Sequence, residues 1–165
     1  MRSDIRCSPS LGEVEVAHRD QLGVAAPHLM KPNGHELASF TGHDAATLES
    51  DPLVAARAAA TLVDAGVEAV LATLGAHGAV LVTADGAWHA SPPPIDVVST
   101  VGAGDSSLFG YLLGDVTGRL PDQRLALAVA YGSAAAGLPG TTIPHPHQVQ
   151  PELVRVTRLE LTPGG

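Results

Sequence analysis

Cysteine is almost absent from this 165-residue sequence, in which Cys7 stands alone. An internal disulfide is thereby excluded, as is a metal centre built on several thiolates of one chain. A reducing cytosol is the simplest setting. Lysine is equally rare, Lys31 being the only one, and no run of basic residues occurs. With a formal charge of −8, the chain offers no counterion-releasing surface to nucleic acid and no polybasic patch to an anionic membrane. Aromatics make up 3% of the residues, so a core must come from small aliphatic side chains, as in layered helix-and-sheet proteins. Long apolar runs are missing too. Met1 to Leu22 alternates charged and apolar residues and lacks the ~7–15-residue stretch of a secretory signal, and no ~18-residue run suits a bilayer. These absences predict a soluble, cytoplasmic α/β protein whose partners are neither nucleic acid nor membrane.

What is present is a chain of ordinary single-domain length, 45% hydrophobic, long enough to bury a core. The opening residues, 1–27, read as an irregular lead-in with one short helix over Glu13 to Leu22, and residues 28–165 as the main domain. His28-Leu29-Met30 is a short apolar run stopped by Pro32, after which Asn33 can cap a helix over Gly34 to Phe40. Asp51-Pro52 is an N-cap followed by proline at the first helical position, and apolar residues at helical spacing continue to Gly66. Ala69 to Leu74 is the continuous apolar run of a strand buried on both faces, which predicts a mostly parallel sheet. Ala79 to Thr83 and Ala87 to Ala90 flank Asp85-Gly86, a hairpin signal. Pro92 to Pro94 form a stiff connector, Ile95 to Thr100 is extended, and helices follow over Ser106 to Val116 and Asp122 to Gly137. From Pro139 onward the prolines predict mostly loop with one short helical turn.

Val101-Gly102-Ala103-Gly104-Asp105 carries the most chemistry. Two glycines at a helix start let backbone N–H groups approach an anion, and the helix dipole favours negative charge there. A carboxylate in that turn would repel a bound phosphate unless it works as a base, taking the proton of an attacking hydroxyl during phosphoryl transfer. The same residues also suit a capped helix after a tight turn. Asn33 and Glu36, three apart at a helix start, share a face and can hold the waters of a Mg²⁺ ion and nucleotide phosphates; they equally form a capping box. Lys31 can neutralise phosphate or simply be solvated, and no Walker loop precedes it. Thr73-Leu74-Gly75-Ala76-His77-Gly78 ends the buried strand, at the edge where open α/β sheets bind ligands, and can also be a structural turn. The eight histidines are scattered without the spacing of a zinc site.

In order along the chain, Lys31-Pro32-Asn33-Gly34-His35-Glu36-Leu37, Thr73 to Ala79, and Ser99-Thr100-Val101-Gly102-Ala103-Gly104-Asp105-Ser106 resemble the PfkB (ribokinase-like) family of carbohydrate kinases. The Lys-Pro-Asn-x-x-Glu-Leu form is most similar to its hexose-phosphate kinases of the bacterial 1-phosphofructokinase type, and the likeness runs from about His28 to Thr142. The resemblance implies a three-layer ribokinase-like fold with ATP and Mg²⁺ as cofactors and a sugar phosphate as acceptor, fructose 1-phosphate giving fructose 1,6-bisphosphate. It implies Asp105 as catalytic base and Gly102, Ala103 and Gly104 as the anion hole. Asn33 and Glu36 would organise Mg²⁺ through water, with Lys31 nearby. Thr73, Gly75 and Gly78 would touch the nucleotide, and Gly132 and Ser133 would line its adenine pocket.

The sequence also departs from the family pattern. The N-terminal half with its glycine-rich sugar signature and the small lid sheet has no counterpart, and Ser107 and Phe109 stand where the family more often has an aromatic and then a small residue. Positioning an acceptor can supply ~7–11 kcal/mol of barrier lowering, so a remnant that binds nucleotide without turnover is the competing expectation. A truncated sheet would also leave an edge that invites pairing with a second copy as a homodimer.

Overall fold

The computed structural model describes residues 26–162; the short helix expected over Glu13 to Leu22 lies outside them. Five strands form one sheet in sequence order, β1 (Leu29–Met30), β2 (Ala69–Thr73), β3 (Ala79–Thr83), β4 (Gly86–Ser91) and β5 (Arg155–Leu159). Three helices, α1 (Gly34–Thr41), α2 (Ala45–Ser50) and α3 (Pro52–Asp64), join β1 to β2, and α4 (Ala103–Val116) and α5 (Pro121–Ala136) lie between β4 and β5 in sequence.

Side-chain alternation along the strands separates two cores. Val70, Ala72, Val80 and Val82 join Leu37, Leu48 and Leu62 of α1–α3 on one face, while Ala69, Leu71, Leu81 and Trp88 join Tyr111 and Leu125 of α4 and α5 on the other. The three-layer expectation therefore holds. Full burial of a residue such as Leu62, 1% exposed, contributes about 1.5–3 kcal/mol.

The sheet is not mostly parallel. Only β1 and β2 run parallel, and the β2–β3, β3–β4 and β4–β5 pairs are antiparallel. Burial on both faces explains why β2 and β3 are apolar up to their closing Thr73 and Thr83, but strand direction follows from the connection. A three-helix crossover returns β2 parallel to β1, the short turns after β2 and β3 must reverse the chain, and β5 pairs antiparallel with β4 after the long connection through α4 and α5. The hairpin turn falls on Ala84-Asp85, one residue earlier than Asp85-Gly86, because Gly86 already pairs with Thr83. The tail from Pro139 is mostly loop among the described residues, but it holds more order than one helical turn. After two short 3₁₀ turns at Pro146–Gln148 and Pro151–Leu153 it forms β5, with Arg158 lying over the Trp88 ring. Ile95 to Thr100 pairs with no strand, and Val98 and Ser99 instead donate their N–H groups to the Ala136 carbonyl at the end of α5.

Local chemistry sets the helix starts. Asp51 Oδ1 accepts from the Leu53 and Val54 amides, and Pro52 occupies the first position of α3. The unanticipated α2 is capped by Asp44, whose Oδ2 accepts from the Thr47 amide and hydroxyl at 2.9 Å each. Helices α4 and α5 pack closely because Gly110 and Gly114 face α5: a Cβ on Gly110 would stand 2.5 Å from the Leu127 carbonyl oxygen.

Candidate functional site

The three motifs meet at one end of the sheet. Thr73, at the end of β2, donates its amide to the Pro32 carbonyl at 2.9 Å and bridges Asn33 in parallel register, so the Lys31-Pro32-Asn33 and Thr73-Leu74-Gly75 segments lie side by side. Lys31 then reaches the third motif. Its Nζ would be 3.3 Å from a Cβ placed on Gly104, in the first turn of α4.

That turn suits an anion. Gly102 is the N-cap of α4 with φ +81°, and no side chain caps the helix there. A left-handed residue is needed to swing the chain from the Ser99-Thr100 segment into the helix, and glycine adopts it without steric cost. The first-turn amides, which have no partner within a helix, stand beside the one lysine of the chain, and that of Ala103 donates to the Thr100 carbonyl at 3.3 Å. Asp105 is exposed in the same turn.

Next to this turn is a cavity of about 580 Å³ with walls from Thr73, Gly75, Pro94, Val97, Gly132 and Ser133, and Ala103 and Gly104 at its border. Mostly apolar with a few polar edges, it has the character of a small-molecule site. A second, larger concavity of about 1040 Å³ borders Arg57, Asp64, Arg158 and Glu160 at the opposite end of the sheet, beyond the β3–β4 turn, and holds none of the motif residues. The chemistry-bearing residues select the smaller one.

Several expected residues also have structural duties. Asn33 and Glu36 form a reciprocal capping box, Asn33 Oδ1 accepting from the Glu36 amide at 2.8 Å and Glu36 Oε2 from the Asn33 amide at 2.9 Å. Of their remaining polar atoms, Glu36 Oε1 can accept from a water on a hydrated Mg²⁺ and Asn33 Nδ2 can donate to a phosphate oxygen. No group of three or more His, Cys, Asp or Glu that would ligate an ion directly exists among the described residues. Gly78, with φ +88°, is required by the backbone itself, since a Cβ there would stand 1.9 Å from the Ala90 carbonyl oxygen. Gly132 lets α5 approach α4, where an added Cβ would be 2.7 Å from Ser107 Oγ. Gly75, φ +55°, has open space around it.

Sequence reasoning missed the outer wall. Pro92, Pro93, Pro94, Ile95 and Val97 line the cavity, although the proline run signalled only a stiff connector. Its place directly after a hairpin and before the glycine turn was the one available cue.

No helix among the described residues is long and apolar enough to cross a membrane. Residues 4–148 match the model of the pfkB family carbohydrate kinases. Among curated proteins, the chain is 39% identical over 132 residues to 1-phosphofructokinase of Escherichia coli K12, covering 80% of this chain and 41% of that protein. The 1-phosphofructokinase of Haloferax volcanii is also 39% identical, over 135 residues, with 82% and 42% covered. Of solved structures, Escherichia coli phosphofructokinase-2 in complex with substrates and products superposes with a TM-score of 0.70 at 30% identity, covering 81% of this chain and 42% of that one. Thermotoga maritima ribokinase, at 21% identity, shares the fold with a TM-score of 0.63. The chain thus spans about two fifths of the length of the curated relatives it matches. With its three motifs gathered at one sheet edge and the match extending over most of its length, the chain belongs to the pfkB family of carbohydrate kinases.

Proposed function

We propose that these residues form the nucleotide side of an ATP-dependent sugar-phosphate kinase of the 1-phosphofructokinase type. The observation that carries the reading is the placement of Lys31 Nζ against Gly104, which brings the only lysine to the uncapped start of α4 beside an apolar cavity. In the proposed reaction, Asp105 accepts the proton of a sugar hydroxyl as that oxygen forms its bond to the γ-phosphorus of ATP. The bond from the γ-phosphorus to the bridging oxygen breaks, and ADP leaves with that oxygen. The amides of Gly102, Ala103 and Gly104, with Lys31, offset charge gathering on the transferred group. Thr73, Gly75, Gly78, Gly132 and Ser133 border the nucleotide. Glu36 would hold Mg²⁺ through water and Asn33 would donate to a phosphate oxygen, and the ion would supply charge neutralisation on the phosphates.

Sequence relatives named 1-phosphofructokinase favour fructose 1-phosphate as acceptor. ADP formation from MgATP, measured with fructose 1-phosphate, with fructose 6-phosphate and without sugar, tests this. Turnover that depends on fructose 1-phosphate supports the full reading. Saturable MgATP binding without turnover would confine the role of these residues to holding nucleotide, and absence of both would refute the reading.

A further inference from the structure

The far end of α4 is also tied to β1. His28, the residue just before β1, has both ring nitrogens against carboxylates: Nδ1 lies 2.6 Å from Glu68 Oε2, in the lead-in to β2, and Nε2 lies 3.3 Å from Asp115 Oδ2, near the end of α4. Asp115 is held from its other side by Arg124 of α5, whose Nη1 is 2.6 Å from Oδ1. Arg124 Nε in turn donates to the Arg119 carbonyl, and the buried Tyr111 of α4 lies beside the same guanidinium. The charged groups around the imidazole are therefore Glu68, Asp115 and, behind Asp115, Arg124.

A neutral imidazole carries one N–H and one lone pair, so it can donate to only one of two carboxylates while directing its lone pair at the other. The imidazolium donates to both. Glu68 and Asp115 accordingly raise the pKa of His28, the Glu68 hydrogen bond contributing most. Four residues of chain thus touch α4 at two places: His28 at Asp115 and Lys31 at Gly104, 11 residues apart on the helix, or roughly 16 Å at 1.5 Å per residue. Strand β1 pairs with β2 through Leu29 and Met30, and on either side the His28 and Pro32 carbonyls accept from the Ala69 and Thr73 amides, so the backbone ties Lys31 to β2 while His28 supplies its tie to α4.

We infer that His28 is a positioning residue for the nucleotide site: as an imidazolium it pins β1 to α4 through Asp115 and so holds Lys31 over Gly104. This rests on the nucleotide reading above. Loss of the proton keeps one carboxylate contact and opposes the other, while Arg124 continues to hold Asp115. The strand then loses its side-chain tie to α4 and keeps its backbone pairing with β2.

The test compares wild type, His28→Gln and His28→Arg at pH 5.5 and 8.0, by MgATP titration calorimetry and by amide hydrogen exchange over residues 29–31. His28→Arg keeps a charge at both pH values and cancels any titration of the nucleotide itself. Relative to it, wild-type affinity is expected to weaken about two- to fivefold at pH 8.0, the scale of an exposed ion pair, and His28→Gln to be weak at both. Exchange over residues 29–31 at pH 5.5 is expected to be faster in His28→Gln than in wild type. A single pH profile shared by all three proteins overturns the inference. Failure of all three to bind MgATP refutes the nucleotide reading instead, and equal exchange in wild type and His28→Gln then overturns the pinning of β1 on its own.

Discussion

Lys31 and Gly104, 73 residues apart in sequence, meet so closely that a Cβ on the glycine would stand 3.3 Å from the lysine Nζ. The contact joins β1 to the start of α4 and places the only positive charge among the motif residues where the helix dipole and its first amides already favour an anion. Gly104→Ala tests it. The lysine tip can swing away, so the melting temperature should stay near wild type, while MgATP affinity should fall about tenfold, the scale of one charge-assisted hydrogen bond. Unchanged affinity in titration calorimetry would separate Lys31 from the site.

Gly78 should behave in the opposite manner. Its φ of +88° and the 1.9 Å separation between an added Cβ and the Ala90 carbonyl oxygen combine backbone strain with a clash against main chain. Gly78→Ala is expected to lose about 3 kcal/mol or more in urea unfolding. A loss below about 1 kcal/mol would mean that the turn after β2 repositions freely.

The α4–α5 contact predicts an intermediate effect. Gly110→Ala would set a methyl group 2.5 Å from the Leu127 carbonyl oxygen and 2.9 Å from the Tyr131 ring, so the helices must separate. Overpacking of this kind costs about 1–3 kcal/mol, read by urea unfolding. A stabilised variant, the usual result of Gly→Ala in an exposed helix, would contradict the close packing.

Two exposed groups bound the pH range of greatest stability. The His28 pKa is raised from its ordinary 6.5 by hydrogen bonds to Glu68 and Asp115, so its contribution is complete below pH 6.5 and lost as pH rises through the raised value. Asp44 is lowered from 3.8, chiefly by the Thr47 amide and then by the Thr47 hydroxyl; its cap contributes above pH 3.8 and is lost as pH falls through the lowered value. The melting-temperature gap between wild type and His28→Gln should therefore be widest below pH 6.5 and close as pH rises through the raised value. The gap to Asp44→Ala should close on acidification, and both should shrink in 1 M salt. Gaps that do not vary with pH would remove the electrostatic explanation.

Local signals were the legible ones. Asp51-Pro52 marked the start of α3, and Asn33 with Glu36 marked the start of α1, because caps are made by side chains two or three residues from the amides they satisfy. The order of the three motifs pointed to the family that the residue 4–148 match shows. Sheet direction was not legible: an apolar run such as Ala69 to Leu74 reports burial on both faces but not the direction of its neighbours, and the short links after β2 made them antiparallel. Strand β5 was hidden by the prolines before it and by Arg155 and Arg158, which are exposed on an edge strand. The meeting of Lys31 with Gly104, like that of His28 with Asp115, depends on how α4 lies across β1, a tertiary relationship that no local pattern encodes.

The role of Asp105 is the central claim, and steady-state ADP formation from MgATP and fructose 1-phosphate, wild type beside Asp105→Asn, tests it most directly. The substitution keeps the shape of the exposed side chain while removing the base. The account predicts a kcat lower by about 10²–10⁴ with MgATP affinity within about threefold of wild type. Equal turnover in the two proteins would contradict it.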